Sequence, residues 1–528
     1  MTLVGNVALV LHGHLPYALH TAGQDRLALR WLLEAIWECY LPLCQMLDRL
    51  EADKLPGAIS WSLSPSLVSM LSDPRVPATM AEHLDALYEL NAAQARRLAS
   101  EPAFEPVLAH YRDRIDSARS YWQASGGHLL GVLRRHQASG RLELMTTSVT
   151  HAYLPGLSRF PGAVRAQLRL GQLSFERLCR LRPVGLWLPE CGYDDTVGEE
   201  LGRAQVGYTV LDAHGLERAR PRPRDGADRP VLGSSGVAFF ARDPSVSRQV
   251  WSSAQGYPGD PAYREFYRDL GLELDPAALG ALGAGLMTGL KYWRIGPRGQ
   301  RKEPYDPTAA LARVQVHAAH FVELCRQRLA SASPGSSPSV LVAAYDAELF
   351  GHWWHEGPAF LEQVLRLLSR TADLGALRLG DVLRRHPRCS VVQPASSSWG
   401  EGGFAAPWVG PRSAFVWRHV HEVHRRVEHA LAVGRQLDGR RGAALDQAIR
   451  ELLLLEASDW PFMIHGQALA RYGHERVELH AGRALRLLDA CLAEPMSESE
   501  LGWGEQVQRQ SRFLRELGSE ELRGAFDP

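Results

Sequence analysis

At 528 residues the chain is too long for one simple core, so two or three domains are expected. Its 59 basic residues balance 59 acidic ones, which argues against a polyanion-binding surface and so against nucleic acid as a partner. The 14 tryptophans favour contact with planar or sugar ligands, and the 7 scattered cysteines include no CxxC pair, which suggests neither a zinc ribbon nor a disulfide framework.

The start, MTLVGNVALVLHGHLPY, has no basic leader region and no cleavage site, and its apolar run is too short to span a bilayer. The expectation is a cytoplasmic globular protein with no membrane partner, a monomer or weak homo-oligomer. Asn6–Leu11 reads as the first strand of a parallel sheet, and His12 and His14 beyond it share a face. Trp31–Leu50 has helical apolar spacing, with Pro42 as a kink. Ala58–Leu63 is a second strand and 77–139 a long helical excursion. Leu142–Thr147 is a third strand, leading into His151–Pro155. Gln167–Leu181 reads as a helix, Pro183–Leu188 as a strand tipped by Glu190, and Val206–Leu211 as another strand. Glu217–Gly236, rich in Arg, Pro, Gly and Asp, is a loop. Val237–Phe240 returns to the sheet, Trp251–Tyr267 is an aromatic segment, and Thr308–Ala330 is a long helix. A flexible linker at 331–339 precedes VLVAAYDAELFGHWWHEGP, Val340–Pro358. That stretch opens as a buried strand and ends in Asp346, Glu348, His352, Trp353, Trp354, His355 and Glu356, a wall suited to stacking sugars. A helix at Pro358–Leu368 and a strand near Ser390–Gln393 follow, and beyond Trp408 the pattern is helical.

Strands alternating with helices over the first 400 residues predict an α/β architecture with a parallel sheet. About seven strand candidates favour a barrel over an open sheet. No GxGxxG follows a strand, which weakens a dinucleotide-binding reading.

In a parallel barrel every strand C-terminus shares one face, so Glu190 after GLWLP and Asp346 after VLVAAY can converge there. Paired carboxylates in an aromatic cleft are the machinery of glycosidic-bond chemistry. Taken singly, each also fits a helix-capping role. His12 and His14, with His151, His352 and His355 on the rim, offer a partial metal-ligand set. The stronger reading is free of metal, with histidines bonding to sugar hydroxyls and tuning the carboxylates. Asp459-Trp460 reads either as a helix N-cap with a buried indole or as a sugar-binding lid.

These residues carry a resemblance to glycoside hydrolase family 57, in its 1,4-α-glucan branching enzyme group. It covers nearly the whole chain. HGHLPY at His12–Tyr17 resembles the family's first motif and GRLELMTTSVTHAYLP at Gly140–Pro155 the second. WLPECGY at Trp187–Tyr193 resembles the nucleophile motif, YDAELFGHWWHEGP at Tyr345–Pro358 the acid/base motif and SSSWGEGG at Ser396–Gly403 the fifth. RQVWSSAQGYPGDPAYREFYRD and SDWPFMI resemble signatures of the branching group.

The resemblance implies a distorted (β/α)7 barrel over 1–400 with helical insertions, a small loop region about 212–260 over the active site, and an all-helical C-terminal domain over 401–528 contributing to the glucan cleft. It implies Glu190 as nucleophile and Asp346 as general acid/base of a retaining enzyme, their carboxyls about 5 to 5.5 Å apart. His12, His14, His151, Trp251, His352, Trp399, Trp408, Trp417, Asp459 and Trp460 are the expected substrate contacts, with no cofactor and no metal. The expected partner is an α-glucan such as amylose or a glycogen-like chain.

One departure stands out. Family branching enzymes carry a tyrosine at the tip of a loop after the nucleophile strand, and no tyrosine occurs between Tyr208 and Tyr257. Transfer beats hydrolysis when the lid keeps water from the glycosyl-enzyme, so this loop motivates an amylase-like α-1,4-glucan hydrolase as the alternative. A metal-dependent polysaccharide deacetylase and a glucan-binding protein with a dead site are the readings from other classes.

Overall fold

The computed structural model describes all residues except 1–2, 20–25, 284, 298, 300, 333–334, 336, 387–388, 435–436, 438 and 494–496. Three residues of the expected linker, 333, 334 and 336, therefore lie outside the described residues. The strands are β1 (Gly5–Gly13), β2 (Ile59–Leu63), β3 (Leu142–Met145), β4 (Tyr208–Asp212), β5 (Val231–Leu232), β6 (Ala238–Arg242), β7 (Ser339–Asp346), β8 (Leu374–Ala376) and β9 (Ser390–Val391).

β1 runs parallel to β7 on one side and to β2 on the other, and β2 is parallel to β3. Single bridges carry the sheet from Thr146 to Leu186 and from Gly185 to Tyr208 at the start of β4. β4 is parallel to β6, and β6 meets β7 through Arg242 and Val342. The ring of pairings closes on itself: β1, β2, β3, the 185–186 segment, β4, β6 and β7. It is a distorted (β/α)7 barrel.

Alternation along the strands sorts their residues. A core of Ala8, Val10, Met145, Trp187, Tyr208, Val210, Ala238, Phe240, Val340, Val342 and Ala344 fills the barrel interior. Continuing each series by two residues brings His12, Asp212, Arg242 and Asp346 onto the inward side at the strand C-termini. The register confirms that they meet: His12 pairs with Asp346 and with Ser62, and Asp212 with Arg242. The outward faces pack on helices in a second, larger core that runs on into the C-terminal helices.

Several expectations shift in detail. Pro183–Leu188 is not a laddered strand, because the chain leaves the sheet almost at once for a turn with Glu190 at φ 60° and Cys191 at φ 49°. The distortion expected at Pro42 is a π-helical turn at Ile36–Tyr40. The helix runs on through this turn into Leu41–Ala52, with the Leu41 N–H donating to the Ile36 carbonyl. Pro42 therefore lies inside it, and the wider turn just before accommodates the residue that cannot donate. The helical stretch beyond Trp408 is interrupted at Gln467, φ 66°, between the helices Asp459–Gly466 and Ala470–Leu492. β8 was too short to leave a pattern. The loop Glu217–Gly236 contains β5, antiparallel to β6 and parallel to β9.

Arg220 of that loop pairs with Gln393, whose side chain donates to the Tyr193 hydroxyl (3.1 Å), while the loop's middle is anchored away from the strand C-termini. The Val340 N–H donates to the Asp228 carbonyl (2.8 Å), and Arg229 donates to the Ser337 carbonyl (2.8 Å), both at the N-terminal end of β7. Asp346 lies at the opposite end of the same strand.

The helices after 406 dock onto the barrel through the segment that follows β3. The Thr150 hydroxyl donates to the Leu453 carbonyl (2.6 Å), the Ser458 N–H donates to the His151 carbonyl (3.1 Å), and Gln167 donates to Glu456 (2.7 Å). No described helix is long and apolar enough to cross a membrane.

Candidate active site

Glu190 sits where the chain turns out of the barrel. Its positive φ places a non-glycine residue in the left-handed region and aims its carboxyl across the rim. The Trp399 indole N–H donates to Oε2 (2.7 Å) and the Ser458 hydroxyl to Oε1 (2.9 Å). The backbone repeats the link, because the Trp399 N–H donates to the Glu190 carbonyl (2.9 Å). Burial pushes the carboxyl up to about 8; the bonds from Trp399 and Ser458 pull it back, and the charges of Asp346 and Asp459 add to the rise.

Asp346 ends β7 beside His12. Burial raises it to about 6, and His14 and Arg242 oppose that rise. Glu348 adds a third carboxyl, raised to about 8 by burial. It accepts from the Tyr40 hydroxyl and from the His14 N–H (3.1 Å).

Between the carboxyls stands a column of flat rings. His14 stacks on His151 (4.1 Å between centroids), His151 on His12 (4.7 Å), and His12 on Trp187 (5.3 Å). Burial holds His12 and His151 far below the ordinary histidine range, so both are neutral. His14 is fixed by Ser64 (2.8 Å) and Asp459 (3.0 Å). His151 Nδ1 lies 2.9 Å from Ser458 Oγ and 3.7 Å from Glu190 Oε1. While Ser458 donates to Glu190 it accepts from His151, and that leaves His151 Nε2 as a bare acceptor. Among the described residues neither His12 Nε2 nor His151 Nε2 has a hydrogen-bond partner. Two unpaired, buried imidazole nitrogens beside two carboxyls suit a ligand rich in hydroxyls.

The tryptophans divide. Trp399 belongs to the site, with the Arg242 guanidinium 5.1 Å over its ring. Trp408 and Trp417 are buried, stacked on or beside Tyr153 and joined by the Trp417 N–H to the Trp408 carbonyl (2.8 Å). Trp460 is 1 % exposed, its N–H donating to the Leu454 carbonyl, so the buried-indole reading holds for it while Asp459 reaches His14. Trp354 is likewise core. Trp251, at the end of the helix Pro244–Trp251, is 52 % exposed. His352 bonds to Glu38 (3.0 Å) beside Phe266 and Trp353.

Sequence reasoning missed Ser458, Trp187, Asp212 and Arg242. Extending the period-two series of β4 and β6 to their last residues would have found Asp212 and Arg242. Nothing local marked Ser458. The described residues whose ligand atoms converge as if for a metal are Asp48, Glu51 and His136, outside this cluster, and Arg135 and Arg141 already pair with those carboxylates.

A closed parallel barrel with two interacting carboxyls and stacked rings on its C-terminal rim defines a glycoside-acting barrel enzyme. The chain belongs to glycosyl hydrolase family 57, whose model matches residues 8–393. A model described as 1,4-alpha-glucan branching enzyme, C-terminal, matches residues 419–519. A 1,4-alpha-glucan branching enzyme of Thermococcus kodakarensis is 31 % identical over 508 residues, 90 % of this chain and 72 % of that one. A probable 1,4-alpha-glucan branching enzyme of Mycobacterium tuberculosis is 33 % identical over 518 residues, 93 % of this chain and 92 % of that one. Among solved structures, an alpha-amylase from Thermotoga maritima superposes with a TM-score of 0.88 at 32 % identity, covering 98 % of this chain and 99 % of that one. A branching enzyme from Pyrococcus horikoshii does so with a TM-score of 0.88 at 28 % identity, covering 98 % and 97 %.

Proposed function

We propose that the protein is a retaining 1,4-α-glucan branching enzyme acting on amylose or a glycogen-like chain, in glycogen biosynthesis in the cytoplasm. The observation that carries the mechanism is Glu190, held by Trp399 and Ser458 at the barrel mouth and electrostatically coupled to Asp346. Glu190 attacks the anomeric carbon of an α-1,4 bond while Asp346 gives its proton to the departing 4-oxygen. The cut chain stays on Glu190 as an ester. Asp346 then takes the proton of an incoming 6-hydroxyl, whose oxygen displaces Glu190 and forms the α-1,6 branch. Retention by this route needs the two carboxyls about 5 to 5.5 Å apart. His12, His14, His151, Trp399 and Asp459 bind the sugar next to the broken bond. No step calls for a cofactor. The barrel unit 1–400 supplies the chemistry, and the helical unit 401–528 supplies Ser458 and Asp459.

The hydrolytic alternative rests on the missing tyrosine. Asp228 and Arg229 bond at the N-terminal end of β7, and Val231–Leu232 pair with β6 and β9, so this part of the loop supplies no lid of its own. The branching reading rests instead on the branching enzymes the chain resembles over most of its length. The test is incubation with amylose, counting new reducing ends against new α-1,6 linkages. Many branches and few reducing ends are expected. Reducing ends without branches would overturn the proposal. Glu190→Gln and Asp346→Asn should each abolish conversion.

A further inference from the structure

The paired tryptophans after Asp346 part company in the fold. Trp354 is 1 % exposed, packed on Phe360 and Tyr263. Trp353 is 52 % exposed. It lies face to face on Phe266, with centroids 4.5 Å apart and planes 23° apart. The buried Lys291 ammonium sits 3.9 Å over the Phe266 ring. Both faces of Phe266 are therefore occupied, and it cannot swing away. Trp353 is also held at its base, because its N–H donates to the Glu348 carbonyl (3.3 Å) and the His352 ring meets it edge-on. The outcome is a rigid indole with an open face on the loop that carries Asp346.

Leaving an indole half in water forfeits apolar burial. Its surroundings narrow what would cover it. The exposed Tyr267 ring stands edge-on to Phe266, adding a polar tip to the aromatic surface. The nearby charges are already matched: Lys302 with Glu265 (2.6 Å), Arg268 with Glu273, and His352 with Glu38 (3.0 Å). Among the described residues these neighbouring charges are matched and the Lys291 ammonium is buried, so a surface of aromatic faces, hydroxyl and imidazole fits a neutral polyhydroxylated chain. A charged peptide would find nothing there to pair with.

We propose that Trp353, seated on Phe266, is a second glucan-binding platform outside the catalytic cluster, which grips an outlying part of a long α-1,4-glucan. This rests on the α-glucan reading above. Long chains would bridge the platform and the cluster and gain affinity from both; short ones would reach only the cluster.

The test is native electrophoresis of the full-length protein in gels with and without amylopectin, together with kinetics on amylose and on a maltooligosaccharide of about seven glucoses. Trp353→Ala should raise the apparent Kd for amylopectin and the KM for amylose about two- to tenfold. It should leave the oligosaccharide kinetics and Tm unchanged, and Trp353→Phe should keep most of the affinity. Wild-type retention with no change in Trp353→Ala would overturn the platform and leave the branching reading standing. Equal losses on short and long substrates would put the indole in the catalytic cleft and also overturn it. A dimer that Trp353→Ala dissolves would make the face a contact between copies, again overturning it. A wild type that neither binds nor converts glucan would sink both readings.

Discussion

Glu190 combines three costs: a left-handed backbone, burial, and a carboxylate neighbour. Together they set its pH behaviour. With one carboxyl near 8 and its partner near 6, the pair holds a single proton between those values. Between those values the proton rests mainly on Glu190, so the reactive form that the proposed roles require, Glu190 ionised and Asp346 protonated, is the minor arrangement of the one-proton pair. Its population falls below about 6, where both are protonated, and above about 8, where both are ionised. The kcat/KM profile on a short oligosaccharide should be a bell with limbs near 6 and 8. Stability follows the same shift. Glu190 binds its proton more tightly folded than unfolded, so its contribution falls as pH rises from the ordinary value of 4.5 to about 8. Glu190→Gln removes that penalty, and its Tm relative to wild type should climb across this window, by roughly 2 °C or more at pH 8. A calorimetric series in which the difference stays flat would contradict this. Ser458→Ala deletes a hydrogen bond to the charged form. It should lower kcat/KM about 10- to 100-fold and move the limb near 8 upward, a displacement that simple misfolding would not produce.

The loop between β7 and the helix Gly357–Arg370 aims several groups at once. It carries Glu348 to the His14 N–H, His352 to Glu38, and Trp353 onto Phe266. Its tight point is Gly351, at φ 119°, where an added Cβ would stand 1.9 Å from the Glu38 carbonyl oxygen. No side chain fits there, and backbone strain at such a position costs about 1–3 kcal/mol before any displacement. Gly351→Ala should therefore lower Tm by several degrees and reduce kcat as Asp346 and Glu348 shift together. Calorimetry with steady-state kinetics on the purified variant checks both. The turn at Glu190 is the companion element, and it explains why Pro183–Leu188 makes two bridges in place of a ladder. The chain leaves the sheet early so that a carboxylate, and not another strand residue, occupies the rim.

At the scale of the whole molecule the barrel and the C-terminal helices form one site. Ser458 and Asp459 reach Glu190 and His14, and one continuous apolar core runs through both regions. A chain cut near 410 would lose two site residues and expose the faces that the helices Phe415–Gly434 and Gly439–Leu455 cover. Such a fragment should aggregate when expressed and should convert no glucan. A soluble, active 1–410 fragment would show that the helical region is dispensable.

Much of this was legible in the amino-acid order, because it follows from local periodicity. The apolar run Val340–Tyr345 marked a buried strand with Asp346 at its end, and the short run before Glu190 marked a second strand end. Parallel connection then required both carboxylates on one face. The loop Glu217–Gly236 was recognisable as a loop, while its attachment to the far end of β7 was not. Nor did the sequence decide which tryptophans meet solvent. Trp353 and Trp354 are chemically identical neighbours, and only packing against Phe266 on one side and Phe360 on the other separates them. Ser458 lies 268 positions from Glu190, and Asp459 lies 445 from His14. Contacts at such separations leave no trace in spacing. They exist because the apolar faces of distant helices had to be buried against the barrel, and that burial carried two polar residues to the carboxylate and the histidine they hold.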